Sequence, residues 1–478
     1  MHLQEIISVI LYFAIVAAVG FFSYRKSVTS SDFLMGGRSM NYWLTALSAH
    51  ASDMSGWLFM AYPATIFVGG MVSAWTAVGL LVGMFFNWQL IAPKIRVATE
   101  QYNSLTFSSY FESRFLDSSG LIRIFTALIS LFFYTIYISA GLVALGEVMG
   151  ALFGVSYDLG ICIGTLILLP YVLLGGYLTL AWIDLFQGLF LMCVIVSIPL
   201  YMLSLVGGFE TAAAAANASG ISFSLIPDFS QKSWVAIIAA AAWGLGYFGQ
   251  PHIITKFMGI KYVHEMKKSQ YIGMSWMLLS LIAATAVGIV AIAYFQGKEL
   301  NPELIFITMV RSEFSPFLIG SILCAVLAAT INAVSSQVLV LTSIVTEDFY
   351  KKTINREASS KSLLLVSRLG ILIIALIALL IAYIRPSSIF NLVNYAWSGL
   401  GASFGPLLIV SLYSKKIRKI GAWGAILSGG ITAAIWPYCG KFLPLQLPSI
   451  LMGFIASFAA MILLSRFQEP RATPIKTD

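Results

Sequence analysis

The chain has 478 residues, of which 59% are hydrophobic and 10% are charged, and its formal net charge is +8. A soluble fold of this length does not have such a composition, so a water-soluble enzyme or nucleic-acid-binding domain is excluded. These values indicate a polytopic membrane protein.

Thirteen apolar segments follow one another along the chain. Each reaches the roughly 20 residues that a helix needs to cross the hydrocarbon core. Because lipid leaves open backbone groups without partners, these segments are predicted to be helices in an all-α fold. Their centres lie near residues 14, 57, 84, 137, 167, 195, 245, 282, 333, 374, 399, 430 and 456.

The excess of positive charge predicts how these helices are oriented. If the N-terminus lies outside and the chain crosses thirteen times, 23 of the 28 Lys and Arg residues fall on one side and 5 on the other. Lys and Arg are enriched in cytoplasmic loops, so the first side, with the C-terminus, is predicted to be cytoplasmic. The cluster from Lys256 to Lys268 is interpreted as part of this excess.

The second apolar segment contains a polar stretch, Ala49-His50-Ala51-Ser52-Asp53-Met54-Ser55-Gly56-Trp57. A carboxylate at membrane depth costs free energy unless a cation, a proton or hydrogen bonds compensate it. Asp53 therefore indicates an ion path, a pairing site or a bend in the helix.

A second interruption follows five segments later, at Trp243-Gly244-Leu245-Gly246-Tyr247-Phe248-Gly249-Gln250-Pro251. Three glycines and a proline within nine residues disfavour a regular helix. Transporters with inverted repeats have a broken helix at the same position of each half, and substrate and ions bind where the breaks meet. The alternative is a pair of kinked packing helices; the five-helix spacing and Asp53 favour a transporter.

Several long strings resemble the bacterial proline-transporting members of the sodium:solute symporter family. The resemblance runs almost colinearly from about residue 12 to 467. The strings include Gly36-Gly37-Arg38-Ser39, Ala51-Ser52-Asp53-Met54-Ser55-Gly56-Trp57-Leu58, Trp243-Gly244-Leu245-Gly246-Tyr247-Phe248-Gly249-Gln250-Pro251-His252 and Tyr395-Ala396-Trp397-Ser398-Gly399.

This resemblance implies the fold of the bacterial leucine transporter, the LeuT fold, with two inverted five-helix repeats. The expected divisions are an extra N-terminal helix in 1–30, repeats in 42–208 and 232–414, two C-terminal helices in 420–466 and a cytoplasmic tail at 467–478. The implied function is uptake of a small amino acid, with L-proline the leading substrate, driven by inward sodium movement across the plasma (inner) membrane. Sodium is the expected ion, and no organic cofactor is expected.

The resemblance also implies a sodium site at the first break. Its ligands are expected to be backbone carbonyls of Ala51 and Met54, a carbonyl of Ala329 on the ninth segment, and two adjacent hydroxyls. Sodium is a hard cation that takes oxygen ligands, and a helix break frees carbonyls for it. Asp53 is expected to ligate the ion or to hold the unwound segment.

The chain departs from the family at the hydroxyl pair, which falls on Asn332 and Ala333. Asn332 has an amide oxygen to offer, whereas Ala333 has none. Three interpretations stay open: sodium binds through Asn332, Asp53 and the carbonyls; coupling uses a proton or another ion; or coupling is weak.

A second cation site is a further hypothesis from the resemblance. It combines Asp184, placed at the start of the sixth segment, with Ser335 and Ser336. The alternative is that Asp184 caps a helix or pairs with a nearby cation.

The resemblance further implies a substrate pocket at the two breaks. Free N–H groups there suit a carboxylate, carbonyls suit an ammonium, and aromatic faces suit a compact apolar ring. The expected pocket residues are Ser55, Gly56, Trp57, Tyr137, Trp243, Gly244 and Tyr247.

Arg38, before the first interrupted segment, is either an inner-gate residue or a plain topology charge.

Three other functions remain as alternatives. The same scaffold fits a proton-coupled carrier or a carrier of another small solute, and a membrane sensor of solute is a hypothesis from another class. A membrane enzyme is disfavoured, since no nucleophile–base pair, phosphate loop or metal-spaced cluster occurs in the sequence. The oligomeric state is not readable from it.

Overall fold

The computed structural model describes residues 2–23, 32, 35–443 and 446–467. Within these residues no β-strand forms, and one isolated bridge joins Met40 to Ile260. In chain order the α-helices are α1 Leu3–Ser23, α2 Tyr42–Asp53, α3 Ala61–Gly69, α4 Trp75–Phe86, α5 Ala92–Gln101, α6 Phe107–Arg114, α7 Leu121–Phe153, α8 Tyr157–Leu205, α9 Phe209–Ala218, α10 Gln231–Ala241, α11 Pro251–Met258, α12 Met266–Tyr294, α13 Ile305–Glu313, α14 Pro316–Ser343, α15 Ser360–Ile384, α16 Ile389–Tyr413, α17 Lys419–Cys439 and α18 Ser449–Ser465.

In the described part of the chain, nine helices are long and apolar enough to cross a membrane. They contain nine of the predicted centres. The other four centres fall in the two interrupted helices and in two shorter apolar helices, Tyr157–Leu173 and Ser449–Ser465. Length and composition alone therefore do not test the prediction of thirteen crossings. The predicted tail after Phe467 lies outside the described residues, as does the end of the first segment, 24–30.

The first interrupted helix runs from α2 through a short break into α3. Asn41 caps α2, its side chain accepting from the N–H of Leu44 at 2.9 Å. The backbone leaves the helical region at Met54, where ψ is 81°. Ser55 then starts a single 3₁₀ turn, Gly56–Leu58, before α3 begins. The helix is thus interrupted within the polar stretch, as the sequence predicted.

The second interrupted helix joins α10 to α11. A 3₁₀ segment, Ala242–Gly249, separates them, and Gln250 is extended. Pro251 is the first residue of α11, where its missing N–H leaves no helical bond unmade. Glycine permits close packing here, because a Cβ on Gly244 would overlap the backbone carbonyl of Gly79 on α4.

The two interrupted helices lie side by side. Met40, before α2, donates its N–H to the carbonyl of Gly259 after α11 at 3.1 Å, and its own carbonyl accepts from Lys261 at 2.8 Å. Helix α2 also contacts α8, α12 and α14, so the first break sits inside the bundle. Helix α8 is two helices that meet at Gly176, whose φ of 68° suits glycine.

Candidate functional site

Asp53 is the last residue of α2 and is buried at the first break. One carboxylate oxygen accepts a hydrogen bond from the phenol of Tyr247, which lies in the second break. The other oxygen has no hydrogen-bond partner among the described residues. An acidic group at this depth is costly without a counter-charge or a proton.

The break also frees backbone oxygens. The N–H of Met54 bonds to His50, and the N–H of Ser55 turns to Asp53 at 3.0 Å instead of continuing the helix. As a result, the carbonyls of Ala51 and Met54 accept no hydrogen bond in the part of the chain that the structure describes. Both are among the predicted cation ligands.

Helix α14 forms the wall facing this break. A Cβ on Gly56 would lie 2.7 Å from the Thr330 hydroxyl, so the turn and α14 are in close contact. Asn332 is buried, and its amide nitrogen has no partner among the described residues. Ala329 lies one turn away within the unbroken helix, and Ala333 offers no side-chain oxygen.

Aromatic side chains enclose the space between the breaks. The rings of Trp57 and Trp243 lie 6.1 Å apart, and Trp243 stacks on Phe390 at 5.2 Å. The indole N–H of Trp57 donates to the carbonyl of Asp53 at 3.1 Å. The indole N–H of Trp397 donates to the carbonyl of Trp243 at 2.8 Å. These bonds hold the Trp57 ring against the backbone of the first break and the Trp397 ring against the backbone of the second.

The predicted tyrosines occupy different settings. Tyr247 packs edge-on against Trp397 at 5.1 Å and bonds to Asp53. Tyr137, on α7, packs edge-on against His252 at 6.1 Å, and its hydroxyl has no partner within the described residues. A buried tyrosine hydroxyl without a partner is available to a ligand.

A second charged cluster involves α2, α8 and α11. Asp184 accepts from the hydroxyl of Ser48 at 2.6 Å and from the ammonium of Lys256 at 3.2 Å. Both charged side chains are buried, 1% exposed for Asp184 and 2% for Lys256. Asp184 follows the kink at Gly176 by two helical turns and does not cap a helix start. The structure therefore favours the pairing alternative considered from the sequence.

Ser335 and Ser336, the other members of the predicted second cation site, lie on α14. Both are buried, and neither hydroxyl has a hydrogen-bond partner among residues 2–23, 32, 35–443 and 446–467. Ser336 lines the same small cavity as Lys256. Of the two predicted serines, Ser336 therefore lies beside Lys256, the partner of Asp184.

Arg38 joins three segments at the end of the bundle where α2 begins. Its guanidinium donates to the side chain and carbonyl of Thr99 at 3.1 and 3.0 Å, to the carbonyl of Ser104 at 3.1 Å and to that of Met258 at 3.2 Å. Burial lowers the pKa of this group, and nearby Arg96 adds to the shift; an arginine nevertheless stays charged. Arg38 is therefore a hydrogen-bonded contact between three segments, and its role in gating stays a prediction.

Several functional contacts were missed from the sequence. Lys256 was interpreted as a solvated topology charge, yet it is buried and paired. The sequence signal for burial, though not for the partner, was the apolar residues on both sides of it, Ile253-Ile254 and Phe257-Met258. Ser48, Phe390 and Trp397 gave no local signal, because their partners are distant in the chain.

Two interrupted helices that meet at a buried carboxylate define a class, the membrane transporters built from inverted repeats. Solved structures show the same fold. A Na⁺-coupled sialic acid symporter in an outward-open, substrate-bound state matches with a TM-score of 0.82 at 18% identity, over 98% of this chain and 99% of that one. Mhp1, a nucleobase-cation-symport-1 family transporter, matches with a TM-score of 0.57 at 17% identity, over 92% and 95%.

The model of the sodium:solute symporter family matches residues 33–429, and the chain belongs to this family. The osmoregulated proline transporter OpuE of Bacillus subtilis is 38% identical over 97% of this chain and 95% of its own length. The sodium/proline symporter of Escherichia coli is 37% identical over 94% of this chain and 90% of its own.

Proposed function

We propose that the protein is a secondary active symporter that couples inward sodium movement to uptake of L-proline by alternating access. One observation carries the proposal: Asp53, buried between the two breaks, has one oxygen hydrogen-bonded to Tyr247 and the other without a partner among the described residues. The names of the full-length relatives support proline as the solute. The proposed location is the plasma (inner) membrane, with the N-terminus outside and the C-terminus cytoplasmic.

The proposed sodium site combines Asp53 with the carbonyls of Ala51, Met54 and Ala329 and the amide oxygen of Asn332. Within the described residues the carbonyl oxygens of Ala51 and Met54 accept no hydrogen bond, which suits a hard monovalent cation. Because Asp53 is buried, a bound cation compensates a charge that is otherwise isolated. Ala333 supplies no oxygen, which leaves this site one ligand short of the family pattern.

The proposed proline pocket lies between the breaks. It uses Ser55, Gly56 and Trp57 from the first, Trp243, Gly244 and Tyr247 from the second, and Tyr137 from α7. Backbone groups at the breaks bind the carboxylate and ammonium, while the indole faces enclose the ring. Cation–π attraction to a tryptophan adds to ammonium binding.

Alternating access follows from these contacts. Sodium and substrate together bridge the two breaks. The site then closes toward one side of the membrane before it opens toward the other, where both are released. Arg38 is proposed to close the cytoplasmic end by joining Thr99, Ser104 and Met258. The repeats are proposed to span 42–208 and 232–414.

The test is uptake of labelled L-proline by the purified protein in proteoliposomes, under a sodium gradient and a proton gradient applied separately. We expect uptake with sodium and competition by excess unlabelled proline but not by sialic acid. Uptake driven by protons alone overturns sodium coupling. Absence of proline uptake under both gradients overturns the substrate.

A further inference from the structure

A buried ion pair lies below the first break. Ser48, on α2, precedes Asp53 by five residues, or roughly 7 Å along the helix axis. Its hydroxyl and the Lys256 ammonium both donate to the same oxygen of Asp184, at 2.6 and 3.2 Å. The ammonium also lies 5.0 Å from the ring centre of Tyr177. Three helices therefore meet at a single positive charge.

The oxygens around this charge resemble the ligand set of a small cation. Asp184 accepts from Ser48 and Lys256, and the buried hydroxyl of Ser336 has no hydrogen-bond partner among the described residues. Ser336 and Lys256 line one cavity of about 10 Å³, which is room for about one water molecule. A carboxylate with hydroxyls is the chemistry that sodium takes, yet an ammonium already neutralises it.

We propose that the Lys256 ammonium is a built-in cation that occupies a second sodium site formed by Asp184, Ser48 and Ser336. A lysine is tethered, so it stabilises the closed packing of α11 on α2 and α8 but cannot be transported. The protein then takes one mobile sodium, at the first break. This last step rests on the proposed function, whereas the exclusion of sodium by Lys256 does not.

Removing the ammonium uncovers the second site. Lys256→Met keeps most of the side-chain volume and leaves the Asp184 carboxylate without a counter-charge, which favours recruitment of a cation. Lys256→Arg keeps the charge and is the matched control. The double variant Lys256→Met with Asp184→Asn removes both charges and with them the reason to bind sodium.

The experiment measures equilibrium binding of radioactive sodium to the purified full-length protein in detergent, as sodium ions per chain. We expect Lys256→Met to bind one more sodium than the wild type, Lys256→Arg to match the wild type, and the double variant to lose the gain. Adding Ser336→Ala to Lys256→Met is expected to weaken the gained site several-fold. Sodium-dependent thermal stabilisation of each variant is the second readout.

The outcomes separate this inference from the proposed function. Two sodiums on the wild type, or no gain in Lys256→Met, overturns the inference and leaves sodium coupling intact. No sodium on the wild type with one on Lys256→Met overturns sodium coupling and supports the inference. If Lys256→Met does not fold, Lys256→Gln replaces it with a neutral side chain of similar length, and the same gain is required.

Discussion

The two breaks of this transporter differ in how they treat charge. The first contains an acid, Asp53, whose second oxygen has no partner among the described residues. The second contains glycines and aromatic rings without a charge, and its following helix carries Lys256, already paired with Asp184. One break leaves a negative charge open, whereas the helix after the other supplies a fixed positive charge.

We infer from this difference that the first break binds a mobile cation, whereas the Asp184 cluster holds a permanent one, the ammonium of Lys256. A free carboxylate oxygen beside open carbonyls suits an ion that enters and leaves. A carboxylate with a lysine in contact is already neutral as a pair and mainly joins helices. The comparison predicts that substitutions at the first break weaken binding of the mobile sodium more than substitutions elsewhere do.

The largest effect is expected for Asp53→Asn. Removing the charge that faces the mobile ion costs about 3 kcal/mol, or more than about 100-fold in sodium affinity. Sodium-dependent proline uptake in proteoliposomes measures the loss. Asp158→Asn, which removes an exposed carboxylate at the start of α8, is the control. Wild-type sodium affinity in Asp53→Asn contradicts the role of the first break.

A smaller loss is expected for Tyr247→Phe, which deletes the hydrogen bond to Asp53 but keeps the ring against Trp397. We expect sodium affinity to fall about tenfold, equal to about 1.4 kcal/mol, the lower end for a hydrogen bond to a charged group. The sodium concentration for half-maximal uptake is the measurement. Tyr110→Phe, which loses a hydroxyl bond to Ser411, serves as control; equal effects of both variants argue against a specific role.

A gain is expected when Asn332→Ser is combined with Ala333→Thr. The pair restores two adjacent hydroxyls on α14, and sodium affinity should rise about threefold, equal to about 0.7 kcal/mol. Each single substitution is the control, because neither restores the pair. An unchanged or lower affinity in the double variant shows that this stretch of α14 is not the weakened part of a sodium site.

An effect of the same size, but on the transport rate, is expected for Arg38→Lys, at the end of the bundle away from the aromatic enclosure. Lysine keeps the charge but loses the forked donors that reach Thr99, Ser104 and Met258. Maximal uptake should fall about threefold, equal to about 0.7 kcal/mol in activation free energy, with an unchanged proline KM. Arg466→Lys is the control, and a changed KM with normal maximal uptake contradicts a gating role.

The sequence was sufficient for the helical membrane fold and for both breaks. A charge and glycines in apolar segments are local features, and the chain opens at Met54 and at 242–249 as expected. Partners across the bundle were not predictable from local pattern. Lys256 and Asp184 are 72 residues apart. The local sequence around a lysine near positively charged loops does not show whether its side chain is solvated or buried against a distant partner.

The ratio of sodium to proline fluxes tests the contrast between the two breaks most directly. Proline is a zwitterion, so each transport cycle moves only the charge of the mobile ions. We predict that reversal-potential measurements on proteoliposomes give one sodium per proline. A ratio of two means that the Asp184 cluster also carries a mobile ion, and it contradicts the account.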